Sequence, residues 1–430
     1  MNPRPPSDRT ARRFLLHGSR LRLVALLAVL GPGIITGSVD NDATGILGYA
    51  QSGALYGYSM LWLLLIATVV MFVVQEMVAR LGSVTGKGLA ELIRERMGVR
   101  ITFVAMLLLL GANAATTIAD MNGIAASGQL IGVPKVVLVP LAAAAVWVLV
   151  LKGSYQVMEK VFLGLSLVYV SYLVSAVLAR PHWATVAHHA LIPSVQFNVG
   201  FLAVSMSLIG TTIAPWMQFY QQSAVADKGL SPSQLMLERI DTLIGCLVSN
   251  LVAAFIIIAT AATVFVHHVP VGSNPGVGIL ATALTPFAGV GARFLFAIGL
   301  LNASLMSIGL IPLATTYAVT EAFGWERGVS RSFREAPQFI TIFTGMLIAA
   351  VTWVMISSQS AVGTAEAANL IGALLLPPLV VVMLLFLNDH RLVGKFRNKL
   401  LGNVVGWACC VFVGLVALSF IVALIAPAAL

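Results

Sequence analysis

Two carboxylates, Asp40 and Asp42, sit in the segment Gly31 to Gly48, GPGIITGSVDNDATGILG, inside an apolar run long enough to cross a bilayer. An ionised side chain at bilayer depth costs about 3 kcal/mol on insertion scales, so such a residue normally faces a cavity, a partner or an ion pathway. Gly31, Pro32, Gly33, Gly37 and Gly45 surround the pair and weaken a helical hydrogen-bond ladder. Carbonyls freed at that depth are tolerated only where protein or a wet cavity satisfies them. In an intact helix residues two apart point about 200° apart, whereas unwound backbone lets both carboxylates approach one ion. The chemistry expected is ligation of a hard cation. Mg²⁺ prefers oxygen donors and gives up water reluctantly, so one or two carboxylates with carbonyls, amides and retained waters would suit it. Asp42 is the expected central ligand. Asp40 is a second ligand, a helix cap or an acid of the outer vestibule.

A second interruption lies in LIGTTIAPWMQFYQQSAVADKG, where Gly210 and Pro215 bracket Thr211 and Thr212. Pro215 has no N–H, so the carbonyls of Thr211 and Ala214 are expected to be freed as further oxygen ligands. Gln218, Gln221 and Gln222 follow, and Asn369 lies in a later apolar run one turn after Glu366. Amides at this depth serve as ligands or as bridges between helices. The candidate ligand set is Asp42, Asp40, Thr211, Ala214, Asn369 and Gln218. Asp120 is a further acid at membrane depth, open to a proton path or to a partner. Glu76 precedes Arg80 by four residues, a spacing that favours an ion pair on one helix face. Asp241 and Glu321 fall at helix ends, where water is expected to solvate them. His182, His188 and His189 lie in one loop without a carboxylate partner, and Cys246, Cys409 and Cys410 sit in apolar runs without metal-ligand spacing. Both sets read as ordinary loop and packing residues. No hydrolase triad, phosphate loop or zinc motif occurs, so neither an enzymatic activity nor a bound cofactor is expected.

Holding such residues at bilayer depth takes membrane spans, and the composition supplies them. Of 430 residues, 59% are hydrophobic and 10% charged, far too apolar for a soluble globular chain. Apolar runs of about 20 residues near 23–50, 55–79, 101–128, 136–151, 161–179, 197–224, 242–266, 291–322, 338–357, 363–387 and 403–427 predict an all-α polytopic protein of eleven transmembrane helices. The net charge of +9 does not signal nucleic acid. With the spans threaded alternately, all but Lys135, Arg180 and Arg293 of the 25 Lys and Arg collect on one face. The positive-inside rule then predicts a cell-membrane protein with a cytoplasmic N-terminus and an extracytoplasmic C-terminus. Residues 1–22 read as a basic cytoplasmic tail without a signal peptide, and 23–430 as one transmembrane domain set in the lipid bilayer with no obligate protein partner evident. The interrupted runs are the first and the sixth. Paired breaks in corresponding halves point to a midplane site in an inverted-repeat transporter. Five spans per repeat, an odd number, invert the second repeat relative to the first, and the eleventh span is an appendage.

These residues resemble the NRAMP metal-transporter family, most closely its NRAMP-related magnesium transporters, over most of the chain. GPGIITGSVDNDATGILGYAQSGALYGYSMLW is similar to the family frame of GPG, a metal-binding DPGN motif and a small-residue stretch ending near YGY and LW. Aligned through Gly53, Gly57 and Trp62, Asp42 takes the motif's Asp, while Ala43, Thr44 and Gly45 stand for Pro, Gly and Asn. The Asn ligand is therefore missing. The family's metal-binding Met-Pro-His is APW, with Ala214 at the Met, Pro215 kept and Trp216 at the His. By the same resemblance the family's carbonyl ligand falls on Thr211 and its span-ten Gln on Asn369. A thioether favours softer transition metals and adds nothing for Mg²⁺, so its loss implies a roomier site for a hydrated hard ion.

Proton-coupled members resemble one another in a span-three Asp and Glu three apart and a span-six His. Here Asp120 remains, and Gly123 and Trp216 occupy the other positions. The ninth run, Phe339 to Met355, has no charge, unlike the arginine-bearing span of those members. YAVTEAFGW and FYQQSAVADKG also look like the magnesium branch. The resemblance implies a LeuT-like 5+5 inverted repeat with helices 1 and 6 broken, and divalent metal ions as transported substrate. The expected activity is uncoupled Mg²⁺ uptake, with Mn²⁺ competing, by alternating access. Two alternatives stand: proton-coupled Mn²⁺ or Fe²⁺ symport, which Asp120 permits, and amino-acid transport on the same fold, whose carboxylate substrate paired Asp residues would repel.

Overall fold

The computed structural model describes residues 36–37, 39–152, 166–230, 232–326 and 333–425. The expected tail over 1–22 and the Gly31–Gly33 motif lie outside the described residues. In a bilayer every backbone polar group must be satisfied within the protein, which leaves helices and closed barrels as spanning elements. All regular elements among the described residues are helical.

A bend at residues 41–42 separates the helical residues 39–40 from α1, Ala43–Tyr56. Next come α2 (Leu61–Thr85), the short α3 (Leu89–Met97), α4 (Val99–Ile131), α5 (Lys135–Lys152), α6 (Val170–Leu178) and α7 (Trp183–Leu191). The second half begins with α8 (Val199–Thr212), α9 (Pro215–Asp227) and α10 (Leu235–Thr260), which ends in a π-turn over Ala261–Phe265. It is completed by α11 (Ala292–Phe323), α12 (Pro337–Ile356), α13 (Ala361–Asn388) and α14 (Leu400–Ile425).

Eight helical stretches among the described residues are long and apolar enough to cross a membrane: α2, α4, α8 with α9, α10, α11 with the turns before it, α12, α13 and α14. The expected spans near 136–151 and 161–179 correspond to shorter apolar helices, Lys135–Leu151 and Leu167–Leu178. The first expected span is represented by α1 and the few residues before the bend. Among the described residues, length and composition thus support eight of the eleven spans that the hydropathy pattern predicts. Two expected loops also contain helix, with α7 inside 180–196 and short turns at Val277–Leu280, Ala281–Leu284 and Thr285–Ala288 inside 267–291.

The interrupted helix is central. In its most apolar window the α8–α9 stretch is 83% buried, whereas that of α14 is 22% buried and lies at the periphery. Apolar side chains such as Leu65, Val69, Leu107, Leu141 and Leu415 stay exposed on outer faces, the surface a lipid environment requires. Between helices, close approach depends on small residues because lipid gives no hydrophobic drive for association. A Cβ on Gly53 would lie 2.5 Å from the Ile257 carbonyl oxygen, so α1 meets α10 backbone to backbone. A Cβ on Gly210 would collide with the Asn369 carbonyl, so α8 meets α13 in the same manner.

That second contact is testable. Gly210→Val should push α8 off α13 and lower the thermal midpoint of the detergent-solubilised protein, by the equivalent of about 1–3 kcal/mol expected for overpacking. An unchanged midpoint would mean that the two helices are free to separate at this point.

Candidate functional site

Asp42 is held where the bend turns into α1. It is the N-cap of that helix in extended backbone conformation, and its Oδ1 accepts hydrogen bonds from the Gly45 N–H and the Thr44 hydroxyl, each at 2.7 Å. Its own carbonyl accepts the Ile46 N–H at 2.9 Å, the first bond of the helix. A short polar side chain at an N-cap satisfies donors that a helix start leaves unpaired. Asp120 reaches the same helix end from α4. Its Oδ1 accepts the Thr44 N–H at 3.3 Å, and its Oδ2 accepts a short hydrogen bond from the Ser307 hydroxyl of α11. Two carboxylates therefore share the positive end of α1, the end that favours negative charge. Asp120, left open by its spacing, belongs to the break.

Asp40 turns elsewhere. Its Oδ2 accepts from the Ser249 hydroxyl of α10 at 2.6 Å, and its Oδ1 is buried without a partner. Asn41 follows it, donating from Nδ2 to the Ser249 hydroxyl at 3.1 Å and to the Ser249 carbonyl at 3.3 Å. The Asn41 carbonyl, exposed by the bend, accepts from the Tyr169 hydroxyl at 3.0 Å. Asp40 contributes to the break in another way. A Cβ placed on Gly45 would lie 2.9 Å from the Asp40 carbonyl oxygen, 3.3 Å from the Thr211 hydroxyl and 3.4 Å from Asp42 Oδ1. Three oxygens from two broken segments thus converge beside a residue that has no side chain.

The second break lies between α8 and α9. Ile213 and Ala214 leave helical geometry, and Pro215 opens α9 at its first turn, where its missing N–H costs nothing. Thr211 has Pro215 four residues ahead, so its carbonyl has no N–H to receive within the helix. The Thr211 hydroxyl is buried and unpartnered. Ala214 differs from expectation: its carbonyl accepts the Met217 N–H at 3.2 Å. In the amide orientation that matches its surroundings, Gln218 also donates to that carbonyl at 2.7 Å and to the Pro215 carbonyl at 2.9 Å. The break frees one carbonyl and recaptures the other, because Gln218 lies one turn along the new helix and folds back over its start.

Asn369 of α13 reaches between α1 and α8. Its Nδ2 donates to the Ser207 hydroxyl at 3.2 Å and to the Thr44 carbonyl at 3.4 Å. The structure therefore gathers Asp42, the Asp40 carbonyl, Thr211, Asn369 and Asp120 around the first turn of α1. Gln218 and Ala214 pair with each other. Gln221 and Gln222 are drawn away, donating to the Thr242 hydroxyl at 2.9 Å and the Lys87 carbonyl at 3.0 Å. The supporting hydroxyls of Ser249, Ser307, Ser207 and Tyr169 carry no signal in the sequence, since a serine in an apolar run usually bonds its own helix.

All of these groups are buried: Asp40, Asp42, Asp120, Thr211 and Asn369 are each at most 5% exposed. Beyond them lies a cavity of about 760 Å³, lined by Asn122, Gln129, Lys135, Arg293, Gln359 and Ser360 among others. The Lys135 ammonium is spent on the C-terminal carbonyls of α12, Val354 at 2.8 Å and Ser357 at 3.2 Å. On the opposite face the Ser223 hydroxyl donates to Glu321 at 3.0 Å, and Arg94 donates to the Ala322 carbonyl at 2.9 Å. Glu321 and Asp241 are buried rather than water-solvated as their helix-end positions suggest; Ser223 of α9 and Gly88 of the connection between α2 and α3 lie against Glu321. Among the described residues no three His, Cys, Asp or Glu side chains cluster to hold a metal.

Residues 33–423 match the family model for Nramp, natural resistance-associated macrophage protein-like. Among curated proteins the chain is 31% identical to the divalent metal cation transporter MntH of Ralstonia nicotianae over 90% of this chain and 88% of that protein. It is 29% identical to the transporter of the same name from Aeromonas hydrophila, over 88% of this chain and 92% of that protein. These relatives are named as transporters, and none of the two as an enzyme. A crystal structure of the Eremococcus coleocola manganese transporter, in complex with an aromatic bis-isothiourea substituted compound, superposes with a TM-score of 0.77 at 23% identity. It covers 95% of this chain and 90% of its own.

Ser249 meets both Asp40 and Asn41, its hydroxyl donating to the Asp40 carboxylate and accepting from the Asn41 amide. Ser249→Ala should leave the Asp40 carboxylate without its hydroxyl donor and cost about 1–3 kcal/mol of stability, read as a lowered thermal midpoint. Ser249→Thr, which keeps the hydroxyl, should recover most of it; equal midpoints for the alanine variant and the unmutated protein would show that the Asp40 contact contributes nothing.

Proposed function

This chain belongs to the Nramp family, and from that premise we propose that it carries divalent metal cations across the membrane, with Mg²⁺ as the main substrate and Mn²⁺ competing. The observation that carries the reading is the convergence of three oxygens from the paired break at Gly45: Asp42 Oδ1, the Asp40 carbonyl and the Thr211 hydroxyl, with no thioether or imidazole among the three. Hard oxygen donors suit Mg²⁺ and Mn²⁺, and a short donor set leaves positions for retained water. Ala214 and Gly45 stand where the resemblance places a thioether and an amide ligand, and a Cβ at position 45 would already press on the Asp40 carbonyl at 2.9 Å.

In this reading Asp42 is the central ligand, with Thr211 and Asn369 beside it. Asp40 contributes through its carbonyl, and Gln218 shapes the start of α9. The fold is read as a LeuT-like pair of inverted five-helix repeats, eleven spans in all, with the N-terminus cytoplasmic. The cavity of about 760 Å³ is its outer vestibule, and the Ser223–Glu321 and Arg94–Ala322 contacts close the inner side. Rocking of the repeats would open one side as the other closes. A divalent ion entering a negative interior gains about 4.6 kcal/mol per 100 mV, from about 2.3 per charge, so uptake needs no second ion.

A specific observation favours a second reading, proton-coupled uptake of Mn²⁺ or Fe²⁺. Asp120 touches the first turn of α1, so its protonation would be felt at the site. Against it, a Cβ on Gly123 would lie 2.6 Å from the Ser304 hydroxyl and 2.7 Å from the Ala43 Cβ. The position the resemblance gives to a glutamate has no room for one here.

Proteoliposome uptake separates the readings. The unmutated protein should take up Mg²⁺ and Mn²⁺ without lumenal acidification, and Asp42→Ala should cut uptake at least about tenfold, the effect of about 1.4 kcal/mol. Ala214→Met should shift selectivity toward Mn²⁺ over Mg²⁺. Mn²⁺ entry that acidifies the lumen, with no Mg²⁺ entry, would overturn the Mg²⁺ reading. Normal transport by Asp42→Ala would overturn the site.

A further inference from the structure

A second site lies far from the break, where the C-terminal end of α2 and the N-terminal ends of α10 and α14 come together at one membrane face. Glu76 of α2 stands there between two arginines. Arg239 of α10 donates from Nε and Nη2 to Glu76 Oε1 at 2.9 and 2.7 Å, and Arg80 lies 3.2 Å from Glu76 Oε2. Arg80 is further fixed by the Asn398 side-chain oxygen at 2.7 Å and the Phe396 carbonyl at 3.3 Å, while its Nε is buried with no acceptor. Two guanidinium groups face one carboxylate, so the cluster keeps a net positive charge. Arg80 and Glu76 are nearly covered, but the Arg239 side chain is 42% exposed. Its Nη1 takes part in neither bond to Glu76.

This cluster borders a groove of about 540 Å³ whose walls are apolar, including Phe72, Val73, Met77, Leu243 and Val405. Met236 and Leu401, on its rim, are 65% and 75% exposed. A cationic rim over an apolar cleft at a membrane face matches an amphiphile with an anionic head and a hydrocarbon tail. Basic pockets between membrane helices bind such head groups, and the planar fork of Arg suits phosphate oxygens.

We propose that the groove between α2, α10 and α14 binds an anionic phospholipid, its phosphate on Arg239 and one acyl chain along Phe72, Val73 and Leu243. The lipid would bridge α14, the peripheral helix, to α2 and α10. The site is independent of which ion is carried, so its test needs no transport.

Native mass spectrometry of the full chain, released from nanodiscs of equal phosphatidylglycerol and phosphatidylcholine with matched acyl chains, reads the preference directly. The unmutated protein should retain phosphatidylglycerol in excess. Arg239→Gln should reduce that excess about fivefold, the worth of one basic residue near an anionic surface. Leu243→Trp, which fills the groove and leaves the ion pairs intact, should reduce retention of the bound lipid without altering Arg239. Equal retention of the two lipids by the unmutated protein, or an excess that both variants preserve, would overturn the proposal.

Discussion

The N-terminus of α1, buried inside the protein instead of lying at its surface, is the constraint around which the rest of the molecule is arranged. A helix start presents unpaired N–H groups and a partial positive charge, and in a bilayer neither water nor lipid can answer them. Asp42 answers from the same chain segment and Asp120 from α4. Each carboxylate would be expensive at this depth alone; set against the helix end, each has donors. Ser307 then serves Asp120, and Ser249 serves Asp40, so α10 and α11 are tied to the break by hydroxyls that satisfy what the carboxylates still lack.

The same constraint shapes the packing. For Asn369 to reach the Thr44 carbonyl, α13 must lie against both α1 and α8, and Gly48 and Gly210 leave the space. For α10 to bring Ser249 to Asp40, it must touch α1 along its length, which Gly53 permits against Ile257. Small residues at these crossings do what a hydrophobic core does in water, since lipid tails give apolar side chains no reason to prefer one another. The aliphatic side chains are left for the outer surface, and α14, which takes no part in the break, is mostly in contact with that exterior.

The two broken helices are not equivalent. At the first, carboxylates surround a helix start; at the second, Pro215 begins α9 and Gln218 covers the Ala214 carbonyl. The first break carries the negative charge and the second contributes neutral oxygen from Thr211.

Much of this was legible in the sequence. Hydropathy runs locate α4, α11 to α14 and the α8–α9 break to within about three residues, and α2 and α10 to within about seven, because a bilayer imposes length and apolarity on anything that crosses it. Asp40, Asp42 and Pro215 announce the breaks because charge, and a residue lacking an N–H, are conspicuous in apolar helix. What only the tertiary structure decided is who faces whom. That Asp120 joins Asp42, that the Asp40 carboxylate turns to Ser249 and that Glu321 meets Ser223 all depend on contacts between segments tens to hundreds of residues apart. Periodicity and composition record a residue's own preference for water or lipid; the partner of a buried polar atom is set by helix crossings, and those follow from packing.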